Sequence, residues 1–338
     1  MKATIKHLLI TSVATSVSLI ATVPAFATGL VRPSDIQFTT NGVANTTTNR
    51  PNINTWTYSS GTPVYDSTGI GGVRRRVLND FNNYGNMQKA AAAISDNDSA
   101  TNVELFTNGE TITDNVGFTA NLGKNRIKVE SVTKADWKDG KLAKSWLTGF
   151  GSAYGSLMQG ITTQPGSNLF KDFQTNFDVI ADYLSTNGFN SAGDANIGDV
   201  TYDTKTNQLT VDLVGHLDVV TRYQPSNYAR NSTGNLIFDK MLLALSAQSA
   251  KNKTPFQISE IAKITFNDQV DYAFSFRAIE SGGIAGDRSK TTDTTSHTGV
   301  YRWTNNYASV PEPSSLLALL SVGGIAFARR KIAKSPSN

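Results

Sequence analysis

An apolar run too short for an ordinary membrane span, set between prolines and a basic cluster, constrains this chain more than any other feature. Val310-Pro311-Glu312-Pro313-Ser314-Ser315 leads into residues 316–328, and Arg329-Arg330-Lys331 follow directly. Seven of the 13 residues 316–328 are Leu, Val, Ile or Phe. At a bilayer centre each favours insertion by about 0.3–0.6 kcal/mol, so together they contribute roughly 2–4 kcal/mol. Ser321, Gly323 and Gly324 erode that gain. A full span takes ~17–25 residues, so residues 314–328 predict a short transmembrane helix that anchors weakly or for a limited time. Arg329, Arg330 and Lys331 act as a basic stop-transfer cluster and, with Lys334, stay cytoplasmic by the positive-inside rule. The alternative is a buried C-terminal helix with a solvated basic end. Pro311, Pro313 and the Lys-Ser-Pro-Ser-Asn end argue against it.

The other end agrees. Lys2 and Lys6 form a positive start, residues 8–23 are mostly apolar, and Ala25-Phe26-Ala27 is an Ala-x-Ala cleavage site before Thr28. This pattern predicts a signal peptide over 1–27, removed by signal peptidase, rather than an uncleaved anchor. The two ends together place residues 28–310 outside the cytoplasm. The expected organisation is a signal peptide 1–27, an ectodomain 28–304, a linker 305–313, a membrane segment 314–328 and a basic tail 329–338.

Pro311-Glu312-Pro313, the apolar segment and Arg329-Arg330-Lys331, in that order, resemble the PEP-CTERM sorting signal of Gram-negative bacteria. The resemblance implies an exosortase as partner, cleavage near the motif, transient anchoring in the inner membrane, and delivery to the cell surface or exopolymeric matrix. It covers residues 310 to about 331 and carries no activity for the ectodomain.

Charge divides along the same boundaries. The chain has 31 basic and 27 acidic residues; six of the basic ones and Glu312 lie in the terminal segments, leaving 25 against 26 between them. The high pI therefore belongs to targeting segments and does not indicate a nucleic acid partner. Arg74-Arg75-Arg76 is the one local cluster and reads as a solvated face, with no aromatic platform beside it. The chain has no cysteine, so the ectodomain must fold by core burial alone, and it is long enough to do so.

Along the ectodomain, residues 28–72 read as loops and short strands, residues 77–94 as a helix with Gly85 as a weak point, and 126–132 as a strand. Leu142, Trp146, Phe150, Tyr154 and Leu157 recur at helical spacing despite Gly149, Gly151 and Gly155. Leu169, Phe173, Phe177, Ile180, Ala181 and Leu184 form one stripe, with Asn187-Gly188 as its cap. Residues 196–202 and 208–221 flank a polar turn as a hairpin. A helix follows from Leu236, and Val270, Tyr272, Phe274 and Phe276 alternate as a strand with one buried face. Residues 280–299 read as a loop, followed by a short strand at 300–304. Helices and strands interleave without a regular βαβ repeat. This predicts an α+β fold with a mainly antiparallel sheet and several amphipathic helices.

Asp194-Ala195-Asn196-Ile197-Gly198-Asp199-Val200, Leu213-Val214-Gly215-His216-Leu217-Asp218 and the stretch with Ser296-His297-Thr298-Gly299 resemble an uncharacterised cyanobacterial PEP-CTERM family. That resemblance implies a bacterial group and no activity.

Candidates for chemistry are few. Asp212, His216 and Asp218 fall on one face of the expected strand, where alternate side chains repeat every ~6.6–6.8 Å. They read first as the solvated polar face of an amphipathic strand, and as the alternative an acid/base pair or a metal site with His297 as a further ligand. Asp96-Asn97-Asp98 with Glu104 fails the EF-hand pattern, having Thr101 and Thr107 where Gly and Glu are needed. No phosphate loop, dinucleotide fingerprint or hydrolase motif occurs, so no cofactor and no catalytic residue are assigned. Two functions remain. One is a non-enzymatic surface or matrix protein binding exopolysaccharide or other surface proteins. The other is a secreted hydrolase of matrix glycans, with paired carboxylates among Asp194, Asp199, Asp212 and Asp218 in a cleft lined by Trp137 or Trp146.

Overall fold

The computed structural model describes residues 29–46, 53–58, 64–65, 73–79, 85–96, 98, 101–105, 112–227, 231–284 and 297–307. The signal-peptide residues with Ala25, Ala27 and Thr28 lie outside the described residues. So do the sorting motif Pro311-Glu312-Pro313, the segment 314–328 and Arg329-Arg330-Lys331. Among the described residues no helix is long and apolar enough to cross a membrane.

Alternating apolar residues build two sheets, and the fold is α+β with mainly antiparallel pairing. The six-stranded sheet runs in the order Gln269–Ala273, Ala262–Phe266, Asn125–Ser131, Val116–Leu122, Ser34–Thr40, Val43–Ala44. Its register sets Phe38 opposite Phe118, Phe118 opposite Val129, and Val129 opposite Ile264. All four are buried, so one lateral row of side chains faces the core. The ten-stranded sheet is centred on the hairpin Asn196–Asp203/Gln208–Gly215, continued on one side by Gly299–Asn306 and on the other by Asn102–Glu104. Among the described residues one pairing is parallel, Gly283–Ile284 against Arg75 and Arg76 of the strand Val73–Asn79. Arg74-Arg75-Arg76 thus sit in a strand, with side chains outside the description.

The inner faces of the two sheets share one apolar core, which includes Phe118 and Ile264 from one and Val211 and Leu213 from the other. Ring contacts cross between them: Tyr202 lies 5.0 Å from Phe266, and Phe266 lies 4.5 Å from Tyr307. A second core is helical. Trp146 on the helix Lys141–Gln159 packs on Phe150, Phe189, Phe238 and Phe276 at 5.3–5.9 Å. Asparagines cap three of the described helices: Asn86, Asn168 and Asn235 accept first-turn amide hydrogens of Met87–Ser95, Leu169–Thr175 and Leu236–Asn252.

Several elements depart from the sequence reading. Residues 77–79 belong to a strand, and the helix is confined to Met87–Ser95, because Gly85 takes φ +69° and Asn86 caps a new start. The stripe from Leu169 is two helices, Leu169–Thr175 and Phe177–Asn187, broken at Asn176 (φ −103°, ψ 7°). The alternating strand ends at Ala273 rather than Phe276, and Val270 is exposed. Ala273 enters the sheet core while Tyr272 and Phe274 turn to the helical core, so this strand has two apolar neighbours. The last strand extends to Asn306, and the amide of Tyr307 still donates to Asn207 O at 2.9 Å.

The glycines within Lys141–Gln159 admit aromatic rings. A Cβ at Gly151 would meet Phe173 Cε1 at 2.7 Å, and one at Gly149 would meet Phe276 Cε2 at 2.8 Å. Helix propensity favours Gly151→Ala by ~1 kcal/mol, but overpacking of a filled core costs about 1–3 kcal/mol. Gly151→Ala should therefore lower the urea-unfolding free energy, by about 1 kcal/mol net. Gly160→Ala, at an ordinary helical φ of −76° with its nearest contact at 3.4 Å, should be neutral or mildly stabilising. Equal responses at the two positions would contradict the packing argument.

Candidate functional site

The hairpin strand that carries Asp212 ends at Gly215. The ring of Tyr301 lies over Gly215, and the amide of Leu217 turns to Thr298 Oγ1 at 3.1 Å instead of continuing the ladder. Asp212, His216 and Asp218 therefore do not share a strand face, and each is engaged separately.

Asp212 sits opposite Arg302 in the strand register. Arg302 donates from Nε to Oδ1 and from Nη2 to Oδ2, both at 2.8 Å, forming a bidentate fork. Asp212 is fully buried while the outer part of Arg302 reaches solvent. The solvated face expected here is thus covered by its own counter-ion. Asp199, at the register break in the neighbouring strand, pairs with Arg32. Burial raises the carboxyl pKa of Asp199, opposed mainly by Arg32. The result is a network in which each carboxylate has its own guanidinium. Asp218 Oδ1 accepts the amide hydrogens of Val220 at 2.9 Å and Phe256 at 3.0 Å, so it fixes the turn Val220–Tyr223 against the 254–258 segment.

His216 follows the strand, half-buried, and its carbonyl accepts from Tyr301 Oη at 2.6 Å. Burial, aided by Arg222, pushes its imidazole down to about 3. His297, expected in an open loop, is fully buried; burial first, and then repulsion from His216 when that ring is protonated, push it down to about 3 as well. The structure does bring these two histidines together. Among the described residues no group of three or more His, Asp or Glu side chains is placed to hold a metal ion.

Sequence reasoning passed over Glu260. It lies in an irregular stretch with no periodicity or motif to mark it. Burial first, and then the neighbouring Asp194, raise its pKa well above the usual range, and Asn196 Nδ2 donates to Oε2 at 3.3 Å. Glu260, His216, Arg222 and Tyr223 line a cavity of about 20 Å³. That is room for one water molecule and far below the several hundred Å³ of an ordinary ligand site. Trp137 and Trp146 are fully buried in the helical core and line no cleft. The open, aromatic-lined carboxylate pair that a glycan hydrolase needs is not assembled among the described residues.

The two imidazoles make acid stability a test of this arrangement. Both are neutral in the folded protein and titrate near 6.5 once unfolded. Their contribution is therefore complete above pH 6.5 and is lost progressively as pH falls towards 3. Glu260, whose pKa is raised, acts oppositely, favouring the fold below its unfolded pKa and weakening it as pH rises through the folded one. Between pH 7 and pH 5.5 each histidine should remove about 1 kcal/mol of unfolding free energy. His216→Gln and His297→Gln should each flatten that slope in urea titrations at several pH values. An unchanged slope would contradict the neutral assignment of the two rings.

Residues 309–332 match the PEP-CTERM protein-sorting motif. The match contains Pro311-Glu312-Pro313, the apolar run and Arg329-Arg330-Lys331. Neither the curated proteins nor the solved structures provide a match to this chain. The ectodomain's chemistry therefore rests on its own geometry. The tail carries a PEP-CTERM signal, which implies export and exosortase-dependent sorting to the cell surface.

Proposed function

We propose that this chain is a surface or matrix protein of a Gram-negative, cyanobacterial host, and that its ectodomain binds rather than catalyses. The sorting motif at residues 309–332 carries this reading. In it, signal peptidase cuts after Ala27, and residues 314–328 hold the chain briefly in the inner membrane. Arg329, Arg330 and Lys331 remain on the cytoplasmic side while an exosortase acts near Pro311-Glu312-Pro313. The binding role is supported by the state of the expected acids. Asp199 and Asp212 are neutralised by Arg32 and Arg302, and Asp218 is committed to backbone amides. Both oxygens of Asp212 and one oxygen each of Asp199 and Asp218 are thereby occupied, which disfavours them as proton-transfer groups. Exopolysaccharide or another surface protein is the partner class.

The test is fractionation of the native host expressing Pro311→Ala/Glu312→Ala/Pro313→Ala beside the unaltered chain. The unaltered protein should be recovered from the cell surface or matrix, and the variant should accumulate uncleaved in the inner membrane. Identical distributions would remove the motif's role and the reading with it.

A further inference from the structure

The outer face of the six-stranded sheet carries a feature that the sorting signal does not explain. Side chains alternate across a sheet, so the residues between the buried Phe38, Phe118, Val129 and Ile264 point away from the core. Gln37, Thr119, Lys128 and Thr265 are such residues, and the strand register sets them side by side in one row. With the Asn125–Lys128 segment and the Asn267-Asp268 turn they line an open groove of about 1060 Å³. That exceeds the usual range of ~300–1,000 Å³ for a small-molecule site. Four strands at ~4.8 Å spacing make it roughly 14 Å across, which suits a polymer better than a compact ligand.

The lining has a definite chemistry. Lys124, Arg126 and Lys128 bring three positive charges to it, against Asp268 as the one acid in the lining. Lys128 also pairs with Glu130, which is buried beside it, while Lys124 and Arg126 are exposed. The rest of the lining is chiefly Thr, Gln and Asn. At the floor, Thr39 is 7 % exposed, and its Oγ1 has no hydrogen-bond partner among the described residues. A buried hydroxyl without a partner is costly unless something supplies one. That oxygen lies below the reach of a ligand, so the polar groups that face the groove are the hydroxyls of the half-buried Thr119 and Thr265 and the amide of the exposed Gln37. Among the described residues no aromatic ring lines it. Stacking, the usual attraction for nucleobases and for the flat faces of neutral sugars, is not what it offers.

We propose that this groove binds an anionic polysaccharide, with sugar carboxylates held by Lys124, Arg126 and Lys128 and hydroxyls by Thr119, Thr265 and Gln37. The assignment deepens the surface-protein reading and rests on it, because only an exported ectodomain meets such a polymer. The segment between the two targeting ends has near-balanced charge, with 25 basic against 26 acidic residues. Attraction is therefore local to the groove, and binding should be selective and sensitive to salt.

The probe is polygalacturonate, titrated calorimetrically into protein purified from the host envelope, with dextran and duplex DNA as comparisons. Polygalacturonate should bind, dextran should not, and affinity should fall as salt rises. Lys124→Glu/Arg126→Glu alters exposed residues only and leaves the Lys128–Glu130 pair in place. Thr119→Trp fills the groove without changing charge. Each should bind polygalacturonate at least about tenfold more weakly while keeping the parent's melting temperature. Dextran bound as tightly, or DNA bound more tightly, overturns the proposal. So does loss of binding in the charge variant alone, which would mark diffuse surface attraction without a groove. Fractionating the same cells separates the two levels. Surface delivery without polygalacturonate binding refutes the groove only, whereas failure of delivery refutes the surface reading beneath it.

Discussion

The hairpin formed by Asn196–Asp203 and Gln208–Gly215 is the element on which the rest of the ectodomain depends. It takes up both ends of the described chain. Leu30–Val31 pairs with Tyr202 and Asp203 on one strand, and Gly299–Asn306 pairs with Gln208–Gly215 over its full length on the other. The turn ties them further: Thr204 donates its amide to Gly29 O, and Tyr307 donates its amide to Asn207 O, both at 2.9 Å. With no cysteine to close the chain, this pairing does what a disulfide often does in an exported protein. Its specificity comes from Asp212 opposite Arg302, because a one-residue slip would bury the carboxylate without its fork.

This arrangement separates structure from address. The described residues begin beside the expected cleavage point at Thr28, and their last strand ends just before the sorting motif. The carboxylates of the hairpin are consumed in holding those ends. Asp271 adds a link between the sheets, accepting from Tyr307 Oη at 2.7 Å and Asn305 Nδ2 at 3.1 Å. None of these contacts draws on a residue beyond Tyr307. The outer face of the other sheet, with Lys124, Arg126 and Lys128, takes no part in pairing the two ends of the described chain.

Much of the architecture was legible in the sequence, for identifiable reasons. Wherever one period dominated, as in Lys141–Gln159, Leu236–Asn252 and Asn125–Ser131, the expected element formed. Reading failed where two elements abut or where tertiary contacts overrode pattern. Val77 and Leu78 supply apolar spacing that merges with the helix from Met87, and only the positive φ of Gly85 reveals the break. The alternation from Val270 continues to Phe276, but the Ser275 carbonyl and amide go to Ser259, leaving no strand partner. Periodicity also could not foresee that the polar side of the hairpin would be roofed by an arginine from a strand ninety residues later. His297 beside His216, and Glu260 beside Asp194, join segments far apart in the chain. No local spacing carries that information.

The claim that the tail is an address on an independently closed fold is tested most directly by the intact mass of the protein recovered from the surface of its native host. The account predicts a species that begins at Thr28 and ends near Pro311–Pro313, and that unfolds cooperatively without its tail. A species that retains Asn338 and stays in the inner membrane would contradict it.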